Sequence, residues 1–249
     1  MVDRARLPRN CRFIMQQQSR IPTTLDSAAP DSTTSASTGP SHVVILCHPE
    51  AHSFNAAVAA KYCATVEDCG QKAIVRDLYA MRFDPVLRSE ERPGTRGFFQ
   101  SPHVAYEMSM LAAADVIVFV YPIWFGLPPA MLKGYVDRVL GSGFSYTDVR
   151  QRNVKSKFAG AQLLSFSSSG SPQIWLEEQG QWQSLIAVFD RYLQRGFSLA
   201  STEHVHFSPI TDKMSEHSFL QYMEEVAQAA TKSCAIASEA HDRNVLLRA

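Results

Sequence analysis

The sequence carries no excess of either charge, with 24 Lys and Arg against 24 Asp and Glu, and no basic cluster longer than a few scattered residues. Without such a cluster there is no footprint for a phosphate backbone, so nucleic acid is not an expected partner, and an anionic membrane surface or an acidic substrate is equally unsupported. No apolar run approaches the length of a membrane span. Cysteine is sparse: Cys11, Cys47, Cys63, Cys69 and Cys234 form an odd set with no Cys-x-x-Cys pair and no zinc-finger spacing. That pattern points to a reducing, cytoplasmic setting rather than to a disulfide scaffold or a structural zinc site. Also missing is a Gly-x-Gly-x-x-Gly turn after the first strand, the fingerprint of the Rossmann dinucleotide fold. What is present, 249 residues of which 45% are hydrophobic, suffices for one globular domain with a sizeable core.

Residues 115–146 organise the rest. Val116 to Val120 is continuously apolar and β-branched or aromatic, the pattern of a strand covered by helices on both faces. Pro122, Gly126, Pro128 and Pro129 end that strand and open a helix, because proline lacks a ladder donor yet fits a first helical turn. Met131, Leu132, Tyr135, Val136 and Val139 then recur at helical spacing. Between strand and helix stand Ile123, Trp124 and Phe125, large apolar residues where a loop is ordinarily polar. Two readings fit them. Either they floor a planar ligand at the carboxyl end of a parallel sheet, or they fold back into the core or a subunit interface.

Residues 1–41 read as a disordered extension, rich in turn formers and poor in apolar side chains. Arg4, Arg6, Arg9, Arg12 and Arg20 lend it the composition of an organellar transit peptide, and a start at Met15 would leave a similar leader; no apolar segment suits secretion. The folded domain then spans 42–249. Residues 42–47 predict the first strand and residues 55–68 a helix. Ser53 or Asn55 caps that helix, whose free amides form an anion pocket. The loop between, with His48, has no Lys or Arg, so a phosphate there would rest on amides, hydroxyl and imidazole; ordinary capping explains the same residues. Cys47, with no paired base, reads as a small buried residue rather than a nucleophile.

Residues 72–78 predict the second strand. The long segment 82–102 has a length more typical of a cover over a site or a partner subunit than of a plain connection, and its Arg88, Glu90, Glu91, Arg92 and Arg96 read as a solvated face. Helix 103–114 leads into the central strand. Residues 157–166 predict the fourth strand, and Ser167 to Pro172 a small-residue loop, either a flexible turn or a place where backbone amides approach a ligand closely. A helix over 177–195, a strand over 197–207 and a helix over 216–240 complete the chain. His204 and His206 share a strand face, but no third ligand is identifiable and no metal is expected.

Five strands alternating with helices give an α/β, three-layer, doubly wound sheet of five parallel strands with right-handed crossovers. In the order 2-1-3-4-5 the loops after strands one, three and four emerge at one edge, with the ligand crevice between strands one and three. An anion pocket then faces an aromatic wall, a match for the phosphate end and the flat ring of a flavin.

Three segments carry a family resemblance: His48-Pro49 with Ser53-Phe54-Asn55; Asp77-Leu78-Tyr79 with Phe83-Asp84-Pro85; and Tyr121-Pro122-Ile123-Trp124-Phe125-Gly126-Leu127-Pro128 through Leu132-Lys133-Gly134 to Gly143-Phe144-Ser145-Tyr146-Thr147. Over residues 43–207 the chain resembles the flavodoxin-like NAD(P)H:quinone oxidoreductases, the group that includes DT-diaphorase. The resemblance implies an FAD cofactor, with FMN as the lesser alternative, and NAD(P)H as co-substrate. Hydride would pass in ping-pong fashion to a quinone or similar small-molecule acceptor. It further implies that His48, Ser53, Phe54 and Asn55 hold the pyrophosphate and adenosine side and that Pro122, Ile123, Trp124 and Phe125 bind the ring. Amides of Ser167, Ser169 and Gly170 would stabilise negative charge at its pyrimidine edge. A homodimer is implied as well, with Tyr146 and the segment 82–102 facing the partner.

The chain departs from that pattern in two places. Ser167-Ser168-Ser169-Gly170 replaces a Thr-Thr-Gly-Gly run. Trp175 and Gln181, next to Trp182, stand where the family has a tyrosine and a histidine that manage charge and protons. Trp175 and Gln181 are therefore the candidate residues at the catalytic positions, and neither titrates. Azo, nitro or flavin reduction, or a flavin-binding ancillary subunit, are the competing functions.

Overall fold

The computed structural model describes residues 39–145, 147 and 156–246. Its centre is β3 (Val116–Pro122), buried at every position. Val116, Val118 and Val120 face one side of the sheet and Ile117, Phe119 and Tyr121 the other, each joining a separate apolar cluster. A strand that must be apolar on both faces reads as an unbroken apolar run, as this one does. β1 (Ser41–Leu46) and β2 (Lys72–Asp77) lie on one side of it, β4 (Gln162–Ser168) and β5 (Ser201–Phe207) on the other. All five strands are parallel, in the order 2-1-3-4-5.

One face is covered by α1 (Phe54–Asp68) and the long α6 (Glu216–Leu246). The other is covered by α2 (Pro102–Ala112), by α3 (Ala130–Tyr135, running into a π turn Val136–Leu140) and by α5. The last runs from Gln181–Leu185 through a π turn Ile186–Asp190 into Arg191–Gly196. The short α4 (Gln173–Glu178) precedes α5. Among the described residues no helix is long and apolar enough to cross a membrane.

Several boundaries differ from expectation, for local reasons. The fourth strand begins at Gln162, not 157, because residues 157–160 form turns that close on Ser156 and Phe158, with Gly160 at φ 92°. The helix expected over 177–195 starts earlier and is broken at Gly180, whose φ of 67° favours glycine. The closing helix continues to Leu246. Nor is the segment 82–102 a simple solvated face: Glu91 is buried in its short 3-10 turn Ser89–Glu91 and paired with Arg138 of the α3 π turn. Most of residues 1–41, and Tyr146, lie outside the described residues.

Candidate active site

The carboxyl end of β1 delivers His48 and Ser53. Ser53 is the N-cap of α1, its hydroxyl accepting from the Ala56 amide at 3.1 Å. The Phe54 and Asn55 amides belong to the first turn of this helix, where no intrahelical acceptor exists, so they are available to an anion. The Phe54 ring is not: it packs edge-on against Phe207, Phe219 and Tyr222 in the core, centroids 5.4, 6.3 and 5.9 Å away. Of the expected contributions of Phe54, only its amide remains. Asn55 is buried as well, and its side-chain oxygen accepts from the Ser168 hydroxyl at 2.9 Å. His48 uses Nδ1 to accept from the Glu50 amide, and burial lowers its pKa below the ordinary imidazole value, which keeps it neutral.

Across the switch point, Pro122 closes β3 and the Ile123 amide donates to the Ser168 carbonyl at 2.7 Å. Trp124 and Leu127 then exchange two backbone hydrogen bonds around a two-residue tip, Phe125 and Gly126, both with positive φ, 51° and 82°. Two successive positive φ values are the signature of a type I′ turn. For phenylalanine that backbone is strained, and its ring is fully exposed, with Trp124 41% exposed beside it. Trp124 packs against His48, centroids 6.1 Å apart, so the first and third loops do meet.

The fourth loop is partly absorbed into the sheet. Ser167 lies inside β4, paired with Tyr121 on one side and His206 on the other. The Ser169 amide donates to the Phe207 carbonyl at 3.1 Å. This corrects the expectation that Ser169 offers its amide to a ring: strand pairing runs far enough to consume it. Gly170, the next residue, is exposed.

Trp175 projects from α4, exposed, and Gln181 opens α5. With Ile123, Gly126, Leu176, Trp182 and Leu185, Gln181 lines a tight cleft. Its side-chain oxygen lies so near Gly126 that a Cβ there would stand 3.6 Å from it. Cys47 is closed off from water and burial pushes its thiol up to about 12, as befits an inert packing residue.

A polar group that the motif pattern did not suggest lies beneath the fourth loop. His204 and His206 lie on one face of β5, and among the described residues no group of three His, Cys, Asp or Glu side chains is placed to hold a metal ion. They bracket Ser167, whose Oγ is 2.6 Å from His204 Nε2 and 2.8 Å from His206 Nδ1. His204 Nδ1 meets buried Asp190 at 2.8 Å. Asp190 is the last residue of the α5 π turn; such turns occur frequently at functional sites. The legible signal was the alternation Ser165, Ser167, Ser169, which puts three hydroxyls on one sheet face beside the two histidines.

Comparison with known proteins agrees with this architecture. Residues 40–233 match the family described as flavodoxin-like fold. A Haemophilus influenzae protein named an uncharacterized NAD(P)H oxidoreductase is 32% identical over 172 residues, covering 69% of this chain and 83% of the relative. The rat NAD(P)H dehydrogenase [quinone] 1 is 32% identical over 152 residues, covering 53% of this chain and 55% of the relative. Among solved structures, an NAD(P)H:quinone oxidoreductase from Methanothermobacter marburgensis superposes with a TM-score of 0.65 at 21% identity, covering 77% of this chain and 94% of that one. With its strand order, its switch-point loops and these relatives in agreement, the chain belongs to the flavodoxin-like fold family.

Proposed function

We propose that this protein is a flavin-dependent NAD(P)H oxidoreductase that passes hydride to a quinone or a similar planar acceptor. The observation that carries the reading is the meeting of two loops across the β1/β3 crevice. The α1 N-terminus offers unused amides, and 6.1 Å from His48 stands an exposed, strained Trp124–Phe125 tip. Exposing two large aromatic faces and bending one residue into a disfavoured backbone are both costly, and a flat ligand offsets both.

The donor set suits a flavin. The Ser53, Phe54 and Asn55 turn would take its phosphate end without a cationic side chain. Pro122, Ile123, Trp124 and Phe125 would face the ring, and Gly170 would donate to its polar edge. The flavin would supply two-electron exchange with the nicotinamide. Trp175 and Gln181 would wall the acceptor seat, orienting a ring rather than moving a proton. The cleft leaves essentially no room even for a water molecule, so side chains that line it, such as Gln181 and Trp182, must shift to admit an acceptor. We take FAD as the cofactor and a homodimer as the working form, the exposed Phe98, Phe99 and Tyr106 around the start of α2 supplying apolar surface for a second subunit.

Purified protein should be yellow, release FAD on heating, and bleach on addition of NADH or NADPH, recovering when a quinone is added. Release of FMN would move the reading to an azo- or nitroreductase type. Bound FAD that neither nicotinamide bleaches would favour the ancillary-subunit reading.

A further inference from the structure

The hydroxyls and imidazoles beneath the fourth loop form an unbroken chain. Asp190 Oδ2 to His204 Nδ1 is 2.8 Å and His204 Nε2 to Ser167 Oγ 2.6 Å. Ser167 Oγ to His206 Nδ1 is 2.8 Å, His206 Nε2 to Ser169 Oγ 3.0 Å, and Ser169 Oγ to the Ser171 carbonyl 2.6 Å. Asp, His and Ser in line suggest a nucleophilic serine, but Ser167 is 1% exposed and its oxygen already lies between two rings. It is a bridge.

Counting hydrogens along the chain gives its charge. The Ser171 carbonyl can only accept, so the one hydroxyl hydrogen of Ser169 is committed to it, and His206 Nε2 must donate to Ser169 Oγ. Ser167 also has one hydrogen to give. If it goes to His206 Nδ1, His204 donates through Nε2 to Ser167 and through Nδ1 to Asp190. If it goes to His204 Nε2, His206 donates through both nitrogens. Ser165 donates to the other oxygen of Asp190 at 2.7 Å, which favours the carboxylate, and imidazole is the stronger base. In either arrangement the two rings hold three N–H hydrogens, one more than a pair of neutral imidazoles carries.

We propose that this extra proton, shared by His204 and His206 across Ser167 Oγ, is the proton that a hydride acceptor at the fourth loop needs to complete its reduction. The proposal rests on the oxidoreductase reading above. A quinone that takes one hydride from the nicotinamide, through the flavin, becomes a hydroquinone only on gaining one further proton. The hop is short: His204 Nε2–H passes to Ser167 Oγ while the Ser167 hydrogen passes to His206 Nδ1. His206 Nε2 then hands its hydrogen to Ser169 as the Ser169 hydroxyl turns away from the Ser171 carbonyl and releases its own hydrogen to the acceptor, and the pair recovers a proton from water.

The surroundings support one charge and no more. Trp182 packs against both imidazoles, edge-on to His204 and tilted to His206 with centroids 4.9 and 5.1 Å away, and it also lines the cleft. The titratable groups facing the pair are Asp190 from α5 and Tyr121 from β3, whose hydroxyl burial keeps protonated. Burial and the neighbouring His204 push the pKa of His206 down to about 4, so that ring does not take up a second proton of its own near neutral pH.

The decisive measurement is the protonation of the ring nitrogens by NMR on histidine-labelled protein as purified, with the two residues assigned through His204→Gln and His206→Gln. Three protonated nitrogens are expected near neutral pH; two would overturn the proposal, whether or not a flavin is bound. The second arm compares Ser167→Ala with Ser167→Thr, which keeps the bridging hydroxyl. Quinone reduction should fall roughly a hundredfold in the alanine variant, with its pH profile altered, and recover in the threonine variant. Equal rates in the two would overturn the relay. Failure to bind flavin would instead remove the oxidoreductase reading, leaving the nitrogen count to decide the stored proton.

Discussion

Arg138 and Glu91, 47 residues apart, meet in a two-pronged ion pair, Nε and Nη2 at 2.8 and 2.6 Å from the carboxylate oxygens, with each side chain only 7% exposed. Arg138 also donates to the Asp84 carbonyl and lies 5.5 Å over the Phe83 ring. The segment 82–102 is thereby fastened to α3, the helix that follows the aromatic tip. The hydrogen bonds from Arg138 hold the Glu91 carboxyl below its ordinary pKa.

Arg138→Met should cost about 3–5 kcal/mol, because it strands a buried carboxylate. The double variant Arg138→Met/Glu91→Leu should recover most of that loss. Urea denaturation of the parent, the single variants Arg138→Met and Glu91→Leu and the double variant provides the cycle, and an Arg138→Met cost below about 1 kcal/mol would mean that the pair does not hold the segment.

Gly134 is where Pro85 crosses α3: a Cβ on Gly134 would stand 2.3 Å from the Pro85 Cβ and carbonyl oxygen. Backbone cannot yield as a flexible side chain can, so Gly134→Ala should destabilise by roughly 1–3 kcal/mol or more. Limited proteolysis should then cut within 86–100 faster than in the parent protein.

Phe125→Gly should raise stability by about 1 kcal/mol, since glycine adopts φ of 51° without strain. The same change removes a fully exposed ring, so flavin affinity should fall roughly tenfold, or about 1.4 kcal/mol. Thermal melting of flavin-free protein and a flavin titration separate the two effects. Loss of stability in the flavin-free protein would show that the ring packs on the fold.

Acid should weaken the fold through His206. Its folded value, about 4, lies below the ordinary 6.5, so the unfolded chain binds the proton first as pH falls. The His206 contribution is full above about 6.5 and declines down to about 4, by roughly 3 kcal/mol in all. The buried His42 and the half-buried His48, both lowered by desolvation, act in the same direction. Melting curves at stepped pH should show this slope, and His206→Gln should flatten part of it; an unchanged slope would exonerate His206.

The pattern of the chain carried the architecture because burial on two faces, helical spacing and proline stops are local rules. Val116 to Val120 had the pattern of a strand covered on both faces, and Ser53 was one of two candidate caps. The Trp124–Phe125 pair stood out because its chemistry was wrong for a loop. Boundaries failed where a conformation depended on partners elsewhere: residues 157–160 turn rather than extend because Ser156 and Phe158 close turns there, and Glu91 is buried because Arg138 waits on a helix 47 residues away.

The sequence by itself determined the succession of five strands with helices between them and marked the loops after the first and third strands as unusual, since each strand, stop and cap is written in neighbouring residues. Only the tertiary structure decided that Asn55 braces Ser168, that Ser169 spends its amide on Phe207, and that Asp190, His204, Ser167 and His206 form one hydrogen-bonded chain. Those contacts join residues from separate strands and helices. Their distances follow from sheet register and from a π turn, which no local spacing expresses.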